Sequence, residues 1–355
     1  MKLAISAGGT GGHIFPGIAV AEAFAAHDAK NQVVFIGTTE GLESRIIPKA
    51  GFRLLFVEAH QFLGRSPIYK LLTLVRLMKG VVMSMSILRQ ERPDAILGMG
   101  GFTSVPVIIA SVLLRIPTFL HEQNVQPGLA NRLLARITKR TFVSFGETRQ
   151  YLMGEKVRHT GNPLRKDLAK YDVVKKPGIF GIFIFGGSRG ARSINDAVLE
   201  LLPHLKGNKN VALYHQTGPE DFDRVSTAYG NADIDHEVFP FTNEMGKYYS
   251  LCDVVISRAG ATTIFELACF KRAAILVPYP YSAGGHQWKN ASLVEGIGGA
   301  YVIANEEATG ETLFHAVKRL IDEPELLKEM GENMGKLYVH DAPERIIGGI
   351  EHGLS

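Results

Sequence analysis

An apolar run that stops at a cluster of glycines and passes directly into a helical segment leaves few folds open. Near the start of the chain, Leu3-Ala4-Ile5-Ser6-Ala7 reads as a buried strand. Gly8-Gly9-Thr10-Gly11-Gly12-His13 reads as a tight turn, and Ile14 to Phe24 as a helix. Strand, glycine turn and helix in that order make a βα unit. Glycine tolerates positive φ and lets backbone approach a ligand closely. The N–H groups that open the helix lack internal partners and lie at its positive end, which suits an anion such as phosphate. Thr10, Gly11 and Gly12 are therefore candidate ligand contacts, and His13 sets a titratable group beside the anion. Two familiar phosphate patterns do not fit. Gly9-Thr10-Gly11 begins the dinucleotide fingerprint, but Ile14 stands where its last glycine belongs, and no Gly-Lys-Ser/Thr tripeptide occurs.

The same arrangement returns half a chain later, with a strand at Gly181–Phe185, a loop at Gly186–Gly190 containing Ser188, and a helix at Ala191–Leu205. This weak repeat predicts two similar α/β domains. Around the first unit, strands are expected at Lys2–Ala7, Gln32–Gly37, Phe52–Glu58, Ala95–Gly98, Pro117–His121 and Thr141–Phe145. Around the second they are expected at Val211–His215, Glu237–Phe241, Val254–Ser257, Ala273–Val277 and Ala300–Ile303, with three helices after Glu311. Strands alternating with helices predict mainly parallel sheets covered on both faces. Composition agrees with a globular protein, at 355 residues, 46% hydrophobic and 21% charged. A net charge of +4 is too small for an evident nucleic-acid binder. Cys252 and Cys269 supply neither a disulfide framework nor metal-ligand spacing, and their apolar surroundings predict buried thiols in a reducing compartment. No signal peptide is expected, because the first strand starts at Lys2.

Several further clusters follow strands, where open α/β sheets bind ligands. They are Gly98-Met99-Gly100-Gly101-Phe102, His121-Glu122-Gln123-Asn124 ahead of a helix at Pro127–Ile137, and Ser257-Arg258-Ala259-Gly260 leading into Ala261–Glu266. Thr263 and Glu266 have the spacing of a capping box. Gln287 and Asn290, three apart at a helix start, share one face and suit sugar hydroxyls. Asp221-Phe222-Asp223 and Asp233-Ile234-Asp235 resemble the Asp-x-Asp metal signature, but neither follows a convincing strand end, and no metal or cofactor is expected. The stretch Pro67–Gln90 is apolar with basic interruptions at Arg76 and Lys79, which rule out a membrane-spanning helix. Leu71, Leu74, Val75, Leu77, Met78, Val81, Val82 and Met85 share a broad face, either packed in the domain or dipped into an anionic membrane surface.

Taken together, Gly8–His13, Gly98–Phe102, His121–Asn124, Gly161–Arg165, Gly186–Ala191, Ser257–Glu266 and His286–Ala291 resemble the MurG family of N-acetylglucosaminyltransferases along nearly the whole chain. The resemblance implies the glycosyltransferase-B fold, two Rossmann-like doubly wound α/β domains facing across a cleft. On this chain they are 1–162, with the helix 341–355 packed back on it, and 163–340. It implies an inverting transfer from UDP-N-acetylglucosamine to the muramyl 4-hydroxyl of lipid I, giving a β-1,4 link and lipid II. His13 is the candidate base, with Glu122 second. Arg165, Ser188 and the N–H groups of Gly187–Gly190 meet the leaving diphosphate in place of a metal. Thr242 reads the uracil edge through its backbone, Glu266 takes both ribose hydroxyls, Asn124, Gln287 and Asn290 take the donor sugar, and Ala261, Thr262, Thr263, Ile264 and Phe265 belong to the same donor site. The acceptor side is expected in the first domain and the UDP-sugar mainly in the second. The partners implied are UDP-N-acetylglucosamine, lipid I, an anionic membrane surface and other cell-wall synthesis proteins. The location implied is the cytoplasmic face of the bacterial plasma membrane, held peripherally through Pro67–Gln90 with Arg115, Lys139 and Arg140. One departure is Ser104-Val105-Pro106-Val107, where many members carry Gly-Pro-Gly-Gly. A UDP-N-acetylglucosamine 2-epimerase, a diacylglycerol glycosyltransferase and a nucleotide-sugar-binding partner without catalysis are the rival readings. A nicotinamide dehydrogenase is further off for lack of the fingerprint.

Overall fold

The structure is a computed structural model that describes residues 1–59, 67–152, 154–171 and 173–354; for residues 67–72 and 169 only the backbone is described. The chain forms two compact units, Met1–Arg165 with Val339–Ser355, and Lys166–Tyr338.

Among its described residues unit 1 holds seven strands: β1 (Lys2–Ser6), β2 (Gln32–Gly37), β3 (Arg53–Phe56), β4 (Ala95–Gly98), β5 (Thr118–Glu122), β6 (Arg140–Val143) and β7 (Val157–His159). All pair in parallel, in the order β3-β2-β1-β4-β5-β6-β7. Its helices are α1 (Gly11–His27), α2 (Glu43–Lys49), α3 (Pro67–Glu91), α4 (Ser104–Leu113) and α5 (Leu129–Leu134). Unit 2 holds β8 (Phe180–Phe185), β9 (Val211–Gln216), β10 (Asp235–Phe239), β11 (Val254–Ser257), β12 (Ala273–Leu276) and β13 (Ala300–Val302), all parallel, in the order β10-β9-β8-β11-β12-β13. Its helices are α6 (Arg192–Leu205), α7 (Phe222–Gly230), α8 (Met245–Leu251), α9 (Ala261–Phe270), α10 (His286–Gly296), α11 (Gly310–Asp322) and α12 (Pro324–Gly335). The last helix, α13 (Ala342–Leu354), belongs to unit 1.

Side chains alternate across each strand, so one strand feeds two cores. Leu3 and Ile5 of β1 join Phe35, Leu97, Phe119 and Phe142 beneath α1 and α13. Ala4 between them joins Val34, Ile36 and Ile96 beneath α3 and α4. In unit 2 Ile182, Ile184, Leu213 and Ile256 pack under α6 and α11. Each sheet reverses its strand order at one place, between β1 and β4 in unit 1 and between β8 and β11 in unit 2. Loops on the two sides of such a reversal run to opposite faces and leave a crevice at the strand ends. The glycine turns lie there: Gly8–His13 after β1, Gly98–Phe102 at the end of β4, Gly186–Gly190 after β8 and Arg258–Gly260 after β11.

The expected strands are all present, with ends displaced by a few residues at most. The sequence did not announce β7, which is only three residues long, and α5 is shorter than the Pro127–Ile137 helix expected. Ser104-Val105-Pro106-Val107 forms the first turn of α4. Cys252 is buried, as expected, and burial pushes its thiol up to about 12, but Cys269 is only half-buried. Helix α13 fits its unit through glycine: a Cβ on Gly349 would lie 2.5 Å from the Phe142 ring, and one on Gly353 2.7 Å from the Phe119 ring. Arg140 donates to the Gly349 carbonyl (3.0 Å) and its other terminal nitrogen contacts His352 Nδ1 (2.9 Å), so it fastens α13 and is not a free surface cation. Gly349→Val should lower unfolding stability in urea by about 1–3 kcal/mol through overpacking. Gly348→Ala, which meets nothing within 4 Å, should raise it by up to about 1 kcal/mol.

Candidate active site

In unit 1 the turn after β1 is fixed from three sides. Thr10 is extended (φ −137°) at the N-cap of α1, and its carbonyl accepts the N–H groups of His13 (3.1 Å) and Ile14 (3.2 Å). Its hydroxyl meets His13 Nδ1 at 3.2 Å. The His13 ring lies against Gly100 and Gly101, both at positive φ (91° and 75°), where any Cβ would stand 3.3 Å from ring atoms. The second glycine loop is therefore glycine-rich for two reasons, its left-handed backbone and the imidazole pressed on it. Underneath, the fully buried Glu43 accepts hydrogen bonds from the Gly9 N–H (3.1 Å), the Thr38 N–H (3.0 Å) and the Thr38 hydroxyl (2.6 Å). A Cβ on Gly8, Gly37 or Gly41 would come within 3.0 Å of it. Sequence reasoning missed Glu43, although the glycines at 37 and 41 were a signal that something large fills the space between them. Arg165 closes this side: its guanidinium lies 4.5 Å from the centre of the Phe15 ring, so the structure groups it with the α1 turn.

The His121–Asn124 cluster is mostly internal. Gln123 Nε2 donates to the Met99 carbonyl (2.8 Å) and to His121 Nδ1 (3.0 Å), which leaves His121 Nε2 to donate to the Gly161 carbonyl (3.3 Å). Burial lowers the His121 pKa to about 4, so the imidazole is neutral. Glu122 is buried and accepts from the Asn124 N–H (2.9 Å), Asn124 Nδ2 (3.2 Å) and Asn131 Nδ2 (2.7 Å), while burial raises its pKa. Both of its oxygens take amide N–H groups, one from Asn124 and the other from Asn131, so the carboxylate orients those side chains. Asn131 was not anticipated. It touches Gly100 and links the Glu122 shell to the glycine loop beneath His13.

In unit 2 Ser188 is exposed at the tip of the Gly186–Gly190 loop. A Cβ on Gly190 (φ 78°) would fall 1.9 Å from the Thr217 carbonyl oxygen. Thr242, expected to read the uracil edge through its backbone, donates its N–H to Gln216 Oε1 (3.0 Å). Helix α9 begins at Ala261 with Gly260 at the N-cap, so Ala261, Thr262, Thr263, Ile264 and Phe265 form its first turns. Thr263 is inside the helix, and the expected Thr263–Glu266 capping box does not form. Glu266 is nearly buried and accepts the Tyr249 hydroxyl at 2.8 Å. Gln287 Oε1 accepts the Tyr279 N–H (2.9 Å). Asn290 is fully buried and donates to the Ala259 carbonyl (3.2 Å), fastening α10 to the approach to α9. Arg258, named in a strand-end cluster but given no role of its own, donates to the carbonyls of Val277 (3.0 Å) and Pro278 (3.3 Å), to Asn305 Oδ1 (2.8 Å) and to Ser193 Oγ (2.9 Å). It ties the start of α6 to the loop after β12.

Asp221 pairs with Arg224 (2.8 and 2.7 Å), which holds its carboxyl down to about 2, and it also accepts from Asn195. Among the described residues no group of three or more His, Cys, Asp or Glu side chains is arranged to hold a metal. The broad apolar face of α3 divides in two: Leu77, Val81, Met85 and Leu88 face the core, whereas Leu74, Val75, Met78 and Val82 (65% exposed) face outward. Of Leu71 only the backbone is described. Leu77 shares a cluster with Ile109 of α4 and Ala130 of α5, which places the exposed Leu129, Leu133 and Ile137 on the same side of the unit, interleaved with exposed Arg132, Arg136 and Lys139. Lys79 is taken up by Glu58 at 2.6 Å. No helix among the described residues is long and apolar enough to cross a membrane.

Two family models match, the glycosyltransferase family 28 N-terminal domain over residues 3–143 and its C-terminal domain over residues 181–346. The chain is 42% identical, over 98% of its length and 96% of the relative's, to a UDP-N-acetylglucosamine–N-acetylmuramyl-(pentapeptide) pyrophosphoryl-undecaprenol N-acetylglucosamine transferase of Geotalea daltonii. Its fold matches the crystal structure of Acinetobacter baumannii MurG with a TM-score of 0.80 and 28% identity, covering 99% of both chains. A UDP-GlcNAc 2-epimerase from Neisseria meningitidis shares the fold at a TM-score of 0.70 with 12% identity, covering 99% of this chain and all of that one.

Two buried histidines give the fold a pH dependence. His121 titrates near 4, and His215, held by Tyr229 (3.2 Å) and Asn195 (3.1 Å), is lowered to about 3 by burial. In the unfolded chain both titrate near about 6.5. As pH falls below that value the unfolded state takes up protons that the folded state does not. Stability in urea should therefore decline from about pH 6.5 down to the folded values. His121→Gln should flatten the part of the slope above pH 4.

Proposed function

Because the chain belongs to glycosyltransferase family 28, among the MurG transferases, we infer that it transfers N-acetylglucosamine from UDP-N-acetylglucosamine to the 4-hydroxyl of the muramyl sugar on lipid I, forming lipid II for peptidoglycan. The likeness to these transferases along almost the entire chain carries the reading. The 2-epimerases share the fold at far lower identity and give no support for that activity here.

In this reading unit 1 serves the acceptor and unit 2 the donor. His13 is the base. With Nδ1–H donated to the Thr10 hydroxyl, Nε2 holds the lone pair that takes the proton of the attacking hydroxyl. The new bond forms at the anomeric carbon as the bond to the UDP oxygen breaks, so the configuration inverts and the electron pair leaves on the diphosphate. Ser188, the backbone N–H groups of its loop and the N-terminus of α9 meet that charge. Glu266 accepts the ribose hydroxyls, with Tyr249 holding one of its oxygens. The Thr242 carbonyl lies at the uracil edge, and Gln287 and Asn124 meet the donor sugar. Arg165 on Phe15 keeps positive charge beside the α1 turn. Glu122 acts on Asn124 and Asn131 and takes no proton from substrate. The face made by Leu74, Val75, Met78 and Val82 with Leu129, Leu133 and Ile137, ringed by arginine and lysine, docks on the anionic cytoplasmic surface of the plasma membrane, where lipid I resides.

Radiolabelled N-acetylglucosamine should pass from UDP to purified lipid I. His13→Ala should lose at least about 100-fold in kcat while still binding UDP-N-acetylglucosamine. A variant that turns over within threefold of wild type removes His13 from the base role. Label that stays out of the lipid fraction removes the acceptor assignment. Leu74→Glu with Met78→Glu should weaken sedimentation with anionic vesicles by about tenfold, with an unchanged melting temperature because both side chains are exposed.

A further inference from the structure

Gln216 is the last residue of β9, the strand that lies between β8 and β10. It sits in register with Phe185 on one side and Phe239 on the other, the final residues of those two strands. The chain that leaves Phe185 becomes the Gly186–Gly190 loop, and the chain that leaves Phe239 leads to Thr242. The Gln216 side chain is 2% exposed and spans both exits. Its Nε2 donates to the Gly187 carbonyl at 3.1 Å, and its Oε1 accepts the Thr242 N–H at 3.0 Å. The two backbone partners have opposite polarity, so the amide has a single orientation that satisfies both. Glutamate lacks the donor for Gly187, lysine lacks the acceptor for Thr242, and asparagine is shorter by a methylene. Gly187 itself is at positive φ (98°), so its carbonyl is aimed by a backbone that only a glycine adopts at little cost.

We propose that Gln216 is a positioning residue that locks the diphosphate-binding loop to the base-reading segment and thereby sets the affinity of unit 2 for a nucleoside-diphosphate sugar. This rests on the reading of unit 2 as the donor site. A ligand that touches both loops gains from their being held in one geometry before it arrives, because the ordering cost is already met. Without the amide, the Gly187 carbonyl and the Thr242 N–H lose a buried partner, and each loop settles independently.

The test compares wild type with Gln216→Met, which keeps length and burial but removes both bonds, and Gln216→Glu, which keeps the acceptor for Thr242 and loses the donor for Gly187. Titration calorimetry with UDP and with uridine reports the two halves of the ligand. Steady-state kinetics report KM for UDP-N-acetylglucosamine and for lipid I. Gln216→Met should raise the donor KM by about tenfold or more, with the acceptor KM and kcat at saturating donor within about twofold. Gln216→Glu should hold uridine nearly as wild type does yet bind UDP more weakly than Gln216→Met, since its carboxylate faces the diphosphate loop. A general loss of folded protein would lower kcat and leave the ratio of the two KM values alone, so that ratio separates positioning from stability. Folded Gln216→Met with a wild-type donor KM, or equal shifts in both KM values, would overturn the proposal while leaving the transfer reading intact. Wild type that binds no UDP would overturn the donor-site reading and this proposal with it.

Discussion

A parallel sheet covered by helices on both faces has no polar surface except at its ends, and that constraint organises both units. The central strands are committed to apolar packing, as Leu3, Ala4 and Ile5 show by feeding two separate cores from one strand. Chemistry is confined to the carboxyl ends, and among these to the place where strand order reverses and neighbouring loops diverge. Each unit has one such place, with glycine turns on both sides of it. The turns bring backbone N–H groups to an anion, but a glycine-rich loop has little intrinsic reason to hold one shape.

Buried polar side chains supply that reason. Glu43 under the first turn, Gln216 beside the Gly186–Gly190 loop and Arg258 between α6 and the loop after β12 each reach backbone groups of loops that follow different strands or flank a strand end. Each is nearly or partly withdrawn from water, where an unmet hydrogen bond is costly, so each holds its loops in a narrow range of positions. Glu122 does the same for Asn124 and Asn131, and neutral His121 joins β5 to the Gly161 turn. The side chains proposed to meet substrate are thus backed by a second set that holds their loops in place.

Much of this was legible in the chain. Periodicity placed the strands, and the recurrence of glycine turns after them announced two doubly wound domains. His13 and Ser188 were singled out because local sequence puts them in those turns. Glu43 and Arg258 were not recognised as supports, because key partners are distant in sequence: Glu43 serves Gly9, and Arg258 serves Pro278 and Asn305. The capping box at Thr263 failed for a local reason. With Gly260 at the N-cap the helix already starts at Ala261, so a threonine with glutamate three residues on found itself in the helix interior. The face of α3 divided because a helical wheel cannot tell which part of a wide apolar arc the neighbours cover. Leu77 and Val81 met them, and Met78 and Val82 did not.

Helix α13 brings Ile346, Ile347 and Ile350 into the same core as Leu3 and Phe24, yet it follows unit 2 in the chain. Unit 1 is therefore discontinuous, with a whole unit inserted in it. During synthesis, residues 166–338 can close around their own sheet as soon as they emerge, while the sheet begun at Lys2 keeps an uncovered strip until α13 is made. The part of the protein that is translated first is the part that finishes last. Until then its apolar strip faces the surroundings, and a chain stalled before residue 342 would leave unit 2 assembled and unit 1 open to association with other chains.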